Sequence, residues 1–178
     1  MFDPNCPHCK NLSETLDAFV AENPDAARFY YVPYPLRQQS LGQIVALKLA
    51  EEEGRFFELV DEMFARQDAT WGMTLDELVE AVNAVGMDGA AFAALLDPDN
   101  PNHDEARLRA ILSEVEADAG AVTEAFARED GGISVPKLAV EGRVVASTYA
   151  SYSERCLEEF IQQAQAPAPA EAAETTEG

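Results

Sequence analysis

The stretch Asp3-Pro4-Asn5-Cys6-Pro7-His8-Cys9-Lys10 lies almost at the start of the chain and holds two of its three cysteines. Two cysteines separated by two residues can close a small disulfide ring with little backbone movement. A helix that begins at Cys6 would place its sulfur among unpaired backbone N–H groups, at the positive end of the helix dipole. This setting favours the thiolate, which is the reactive form. Pro7 suits the first helical position and His8 adds a donor or a positive charge, so the stretch predicts a redox site.

A zinc site is the alternative interpretation of the cysteine pair. Zinc would need two further ligands, and the candidates are Cys156, His103 and His8, without a second close pair. The redox interpretation is therefore favoured, and it requires no metal and no organic cofactor. Cys156 is predicted to be a small core residue, and His103 a surface or helix-start residue.

Charge and length restrict the remaining possibilities. The chain has 178 residues, and its 33 Asp and Glu against 12 Lys and Arg give a net charge of −21. Such a surface repels nucleic acid and anionic membranes, so neither is expected as a partner. No apolar run approaches the roughly 20 residues that span a bilayer, and no signal peptide is visible.

The apolar spacing and the turn residues predict an order of helix, strand, helical block, hairpin and helix. The segments are a helix from Cys6 to about Glu22, a strand over Arg28–Val32, helices from Ser40 to about Asp130, a hairpin of Ile133–Val140 and Arg143–Ser147 around Glu141-Gly142, and a last helix opened by a capping box at Ser151–Glu154. Residues 166–178 cannot bury apolar surface and are expected to form a disordered acidic tail.

Helix caps are predicted inside the helical block. Ser40 is expected to cap its first helix, Thr74–Glu77 forms a capping box, and Asp88 starts a short helix. Gly54 and Gly86 are expected to end helices, because glycine adopts the left-handed conformation found there.

The motifs resemble those of the DsbA family of thiol–disulfide oxidoreductases, which have a thioredoxin fold. The resemblance is carried by Cys6-Pro7-His8-Cys9 at a helix start, the Phe2–Asn5 lead-in, and Ser134-Val135-Pro136 at the opening of a strand. It covers the chain from Phe2 to about Gln162 and implies an α/β, thioredoxin-like fold with an all-helical insertion. The implied divisions are residues 1–39 and 131–165 for the two parts of the thioredoxin-like domain and 40–130 for the insertion, with the first β-strand apparently truncated.

The resemblance also implies a role for each site residue. Cys6 would be the exposed nucleophile and Cys9 the partly buried resolving thiol, with Pro7 between them and His8 stabilising the Cys6 thiolate. Val135-Pro136 would be a cis-proline loop that binds the substrate backbone. The family often has a buried acidic residue on the strand before the motif, and Asp3 is not taken as its replacement.

The chain is accordingly expected to be an enzyme, a dithiol oxidase that introduces disulfides into protein substrates. A disulfide reductase or isomerase of the same fold, or a non-catalytic peptide-binding module, are the alternatives. The expected partners are reduced or misoxidised proteins and a redox partner, such as a membrane oxidase, that recycles Cys6 and Cys9. The family implies a monomer in the periplasm or another extracytoplasmic compartment, with the cytoplasm as the alternative.

Overall fold

The computed structural model describes residues 1–67, 71–140, 143–144 and 153–165, and 61% of these are helical. The elements are α1 (Pro7–Glu22), a 3-10 helix (Gln38–Ser40), α2 (Leu41–Glu52), α3 (Phe56–Ala65), α4 (Leu75–Ala84), α5 (Gly89–Leu96), α6 (Glu105–Phe126), β1 (Ala139–Val140), β2 (Arg143–Val144) and α7 (Glu154–Gln165). Within these ranges no helix is long and apolar enough to cross a membrane.

The predicted α/β fold with a truncated first strand is wrong for the described residues, which form a mainly helical structure. Strand pairing there consists of β1 against β2, antiparallel, with Ala139 opposite Val144, and of one isolated parallel bridge between Phe2 and Pro33. The segment Arg28–Val32 was predicted to be a strand because of its aromatic and β-branched residues. Phe29 and Tyr31 pack partly buried against the core clusters, and the segment forms no strand because β-propensity reflects packing context more than backbone pairing.

Short backbone contacts nevertheless fix the start of the chain between two distant segments. The Phe2 N–H donates to the Val32 carbonyl at 3.0 Å, and the Tyr34 N–H donates to the Phe2 carbonyl at 2.7 Å. On the other side, Met1 exchanges two bonds with Lys137, of 2.9 and 3.1 Å. The residues before the cysteine motif are therefore hydrogen-bonded on both sides.

The core consists of two clusters. The larger one packs Phe2, Cys6 and Cys9 against α2 to α6, and it includes Ile44, Leu47 and Leu59, each at most 1% exposed. The smaller one packs the apolar face of α1 against α7, through Leu12, Leu16, Phe19, Leu157 and Ile161. Since burying one such side chain contributes about 1.5–3 kcal/mol, the α1–α7 contact helps to hold the helix that carries the cysteines.

Several predicted caps are confirmed, and one is not. Thr74 and Glu77 form the capping box, and the Asp88 carboxylate accepts the Ala91 N–H at 2.9 Å. Gly54 and Gly86 have φ of +67° and +81°, as expected after a helix. Ser40 precedes α2, but its side chain makes no cap hydrogen bond there, because the hydroxyl is used elsewhere.

Some predictions fall outside the described residues. These are the turn at Glu141-Gly142, the continuation of the second hairpin strand over 145–147, the Ser151-Tyr152 part of the last capping box, and the tail over 166–178. The helix that follows the capping box is described as α7, and the Cys156 N–H donates to the Ser153 hydroxyl at 3.3 Å.

Candidate active site

The two cysteines meet at the start of α1, as the sequence predicts. Cys6 is the N-cap residue, with extended backbone angles, and Pro7 occupies the first turn. The Cys9 N–H donates to the Cys6 carbonyl at 2.9 Å, which closes the turn. The cysteines approach each other to 3.2 Å, and both are free thiols. The pair is therefore within reach of a disulfide bond with little rearrangement.

The surroundings of Cys6 favour its thiolate. A hydrogen bond from the Cys9 thiol is the largest influence, and with the backbone N–H groups of Cys9 and His8 it lowers the pKa of Cys6 to about 7, against the opposing effects of burial and of the Asp3 charge. Both N–H groups belong to the first turn of α1, at the positive end of the helix dipole. At neutral pH a large fraction of Cys6 is therefore ionised.

Cys9 has the opposite character. Burial, followed by the hydrogen bond and the charge of Cys6, raises the pKa of Cys9 well above that of a free thiol, although the Asp3 N–H donates to its sulfur. The two thiols thus divide into one that ionises readily and one that stays protonated. This asymmetry suits a pair in which Cys6 forms the mixed disulfide with a substrate, and Cys9 forms or releases the internal disulfide.

The expected exposure of Cys6 is not what the structure shows. Cys6 is 4% exposed and Cys9 2%, so both residues are buried. Val135, itself 3% exposed, lies over the motif, and the Cys6 thiol points at its carbonyl oxygen, 3.8 Å away. The sequence could not reveal this cover, because the two segments are 129 residues apart.

The remaining residues of the predicted site lie around this pair. Pro7 and His8 are exposed, and the contact of His8 with the Cys6 sulfur is made by its backbone N–H. The Val135-Pro136 bond is cis, and the loop faces the cysteines. The neighbouring Lys137 is the residue that pairs with Met1.

Asp3 is a site residue that the sequence interpretation missed. It is completely buried, and its carboxylate accepts three hydrogen bonds, from the Asn5 N–H (2.8 Å), the Leu36 N–H (2.8 Å) and the Ser40 hydroxyl (2.7 Å). Burial raises the pKa of Asp3, and these hydrogen bonds and the Arg37 charge oppose the rise. The charge of Asp3 in turn raises the pKa of both cysteines. A buried carboxylate therefore lies directly behind the thiol pair.

A buried polar network connects this carboxylate to the helical block. The Ser40 hydroxyl donates to Asp3 and accepts from Asn5 Nδ2 (3.0 Å) and Trp71 Nε1 (3.3 Å), which uses its full hydrogen-bonding capacity. Asn5 Nδ2 also donates to Gln43 Oε1 at 2.5 Å. One signal was present in the sequence, because Ser40 and Gln43 share the helix face of Ile44 and Leu47, where polar residues need partners.

Trp71 packs partly buried against the main cluster. The Arg37 guanidinium lies over its ring, 4.4 Å from the centroid. The two other residues considered as zinc ligands, Cys156 and His103, are half-buried. Over the described ranges, no group of three or more His, Cys, Asp or Glu side chains could hold a metal ion.

Two unequal thiols 3.2 Å apart at a helix start have the chemistry that thiol–disulfide exchange requires. A family model described as thioredoxin matches residues 1–159. The chain therefore belongs to the thioredoxin family, and this membership points to a function of the thiol–disulfide oxidoreductase type. No curated protein and no solved structure shows a significant match to the chain.

Proposed function

We propose that the chain is a DsbA-like dithiol oxidase, which transfers its Cys6–Cys9 disulfide to protein substrates. The observation that carries this proposal is the difference between the two thiols, with the pKa of Cys6 lowered to about 7 and that of Cys9 raised. Stabilising the Cys6 thiolate stabilises the reduced form of the enzyme, and this makes the disulfide a better oxidant.

The reaction begins with the oxidised enzyme. A substrate thiolate attacks the Cys6 sulfur, the Cys6–Cys9 bond breaks, and Cys9 leaves and takes up a proton. The second substrate thiol, after losing its proton, attacks the substrate sulfur of the mixed disulfide and releases Cys6 as a thiolate. Two electrons pass from the substrate dithiol to the enzyme, and the substrate gains one disulfide bond.

The cover over Cys6 bears on which substrates can react. Because Cys6 is 4% exposed and faces the Val135 carbonyl, a reacting thiolate has to be presented by a segment that lies along this loop. Extended or unfolded protein segments meet this requirement, because their side chains can reach a recessed sulfur. The proposal includes an oxidising compartment, such as the periplasm, and a redox partner that removes the electrons.

A reductase is the second candidate, because the pKa of Cys6 is lowered less than in the strongest oxidants. A nucleophilic cysteine with a pKa of about 7 resembles that of thioredoxin, a reductant, whereas the cysteine of DsbA has a pKa of about 3.5. The reduction potential separates the two candidates, because it is about −270 mV for thioredoxin and about −120 mV for DsbA.

The experiment combines turnover with equilibrium. The purified oxidised protein is mixed with a reduced peptide that contains two cysteines, and disulfide formation is followed by mass spectrometry. We expect oxidation by the natural sequence and none by Cys6→Ser. Cys9→Ser is mixed instead with the disulfide form of the same peptide: the Cys6 thiolate should attack one sulfur and release the other as a thiolate, and the mixed disulfide should accumulate because residue 9 can no longer resolve it. Equilibration with glutathione buffers should give a potential above about −200 mV for an oxidase. Turnover that persists in Cys6→Ser would refute the role of Cys6, and no turnover in either direction would leave a peptide-binding module.

A further inference from the structure

A second surface lies away from the cysteines, beside the segment that was predicted to be a strand. A groove of about 490 Å³ runs between residues 29–33, the start of α3 and the facing sides of α2 and α6. Tyr30 and Phe57 line it and are 80% and 54% exposed, which is unusual for aromatic side chains. We call it the aromatic groove, with Tyr30, Tyr31, Phe56 and Phe57 as its walls.

The aromatic walls are fixed in place by packing. Tyr31 and Phe57 meet edge to face with ring centroids 5.2 Å apart, and Phe56 meets Phe57 in the same way at 5.3 Å. On its other side, Tyr31 contacts the buried ring of Phe2 at 5.8 Å. The groove therefore presents a preformed apolar surface, and a partner that binds there does not have to order these rings.

One wall of the groove also offers free backbone groups. Within the described residues, the backbone N–H and C=O groups of Arg28, Phe29, Tyr30 and Tyr31 form no hydrogen bond, and pairing begins only at Val32. A stretch with open donors and acceptors beside an apolar groove is a template for a further strand.

The charges around the groove favour a positively charged partner. Glu51 and Asp118 line it, and of the described lining residues Lys48 alone is cationic; it lies 2.6 Å from Asp118 and 3.8 Å from Glu51, so these three side chains leave one net negative charge. Outside the groove lining, Asp17 and Asp61 act on Tyr31: burial, and to a smaller extent the charges of these two residues, raises the pKa of Tyr31 to about 12. The net charge of −21 adds a long-range field of the same sign.

We propose that the aromatic groove docks an extended polypeptide segment of a partner protein that carries lysine or arginine side chains. The segment would pair with the backbone of residues 28–31, its ammonium or guanidinium groups would lie against Tyr30 and Phe57, and the carboxylates of Glu51 and Asp118 would complement their charge. A second copy of the chain is disfavoured as the occupant, because two bodies of charge −21 repel each other. The docking requires no thiol chemistry and is independent of the proposed oxidase activity.

The test is a binding measurement on the full chain. The probe is a fluorescein-labelled octapeptide that alternates lysine with valine and lacks cysteine, and its control replaces each lysine with glutamate. Fluorescence anisotropy should show binding of the lysine peptide alone, weakening as salt is added. Tyr30→Ala should raise the Kd about tenfold, because exposed aromatic anchors dominate such contacts.

Matched variants separate docking from general effects. Leu75→Ala removes an exposed apolar side chain from α4, 41% exposed and outside the groove, and should leave the Kd unchanged. Glu51→Gln should weaken binding severalfold. Glu116→Gln is the matched control and should not weaken it, because Glu116 is two residues from Asp118 and therefore lies on another side of α6. Cys6→Ser should bind like the natural sequence.

Three results would overturn the proposal. These are equal binding of the lysine and glutamate peptides, equal effects of Tyr30→Ala and Leu75→Ala, and a dimer, seen in sedimentation, that Tyr30→Ala dissociates. Melting curves of each variant show whether a lost signal comes from unfolding. Since Tyr30 is 80% exposed, its removal is expected to leave the melting temperature unchanged.

Discussion

Replacing Cys9 with alanine should raise the pKa of Cys6 from about 7 to about 8 or higher. The fold lowers the pKa of Cys6 from its ordinary value of 9.0 to about 7. The hydrogen bond from the Cys9 thiol is the largest cause of the shift. Alanine removes that donor but keeps the backbone N–H at position 9 and the burial of Cys6, so only part of the lowering should survive.

The assay follows the ionisation of Cys6 alone. In a Cys156→Ala background, Cys9→Ala leaves Cys6 as the single thiol, and its thiolate absorbance or its alkylation by iodoacetamide is recorded from roughly pH 5 to pH 10. At pH 7 the ionised fraction should fall from about one half to about one tenth. Since a thiolate of higher pKa is also more nucleophilic, the midpoint of the profile, and not the rate at one pH, is the readout.

Cys9→Ser is the matched control. Its hydroxyl keeps a donor at the same position, so the pKa of Cys6 should stay within about half a unit of 7. A midpoint near 7 in Cys9→Ala would refute the reasoning, because it would assign the shift to the backbone N–H groups of the helix start. A midpoint near 9 in both variants would show that the serine hydroxyl cannot replace the thiol.

Three further outcomes follow from the same site. Asp3→Asn should lower the pKa of Cys6, because the Asp3 charge raises it; an unchanged pKa would contradict this effect of Asp3 on Cys6. The same variant should lose about 1–3 kcal/mol of stability in urea unfolding, because an amide cannot accept all three buried hydrogen bonds of the carboxylate. Ser40→Ala should destabilise the protein by about 1–3 kcal/mol, because the partners of the hydroxyl lose a buried hydrogen bond. It should also change the fluorescence of Trp71, the single tryptophan. An unchanged free energy of unfolding would mean that water replaces the hydroxyl. The reduced protein should gain stability between about pH 7 and pH 9, because the folded pKa of Cys6 is depressed and its contribution is lost as pH falls through 7. The gain from Cys6 should stay below about 2.7 kcal/mol, less after solvent screening, and the total gain should be smaller in Cys6→Ala.

Local sequence signals predicted much of the helical structure. The capping box at Thr74–Glu77 and the cap at Asp88 depend on contacts three residues apart, so the sequence contains all the information they need. Ser40 was predicted to be the same kind of cap, but its hydroxyl donates a hydrogen bond to Asp3, 37 residues away. The failure at Ser40 shows that a local pattern is reliable only when no buried long-range partner competes for the group.

The strand predicted at Arg28–Val32 failed for a related reason. Its aromatic and β-branched composition is typical of strands, but a strand also requires a neighbouring strand to pair with. Of residues 28–32, within the described structure, Val32 alone forms a backbone hydrogen bond, with Phe2. Phe29 and Tyr31 are partly buried by packing, whereas Tyr30 is 80% exposed and the backbone of residues 28–31 is unpaired within the described structure. Composition therefore does not predict whether a segment finds a pairing partner.

The sequence by itself determined the chemistry of this protein. Cys6 and Cys9 are separated by two residues at a helix start, and this spacing alone places the two thiols together beside the N–H groups that stabilise a thiolate. The tertiary structure decided how strongly the two thiols differ and what surrounds them. The burial of Cys9, the Val135 carbonyl over Cys6 and the carboxylate of Asp3 come from segments that meet only in the folded chain, because burial and long-range electrostatics depend on distance in space and not on spacing in sequence.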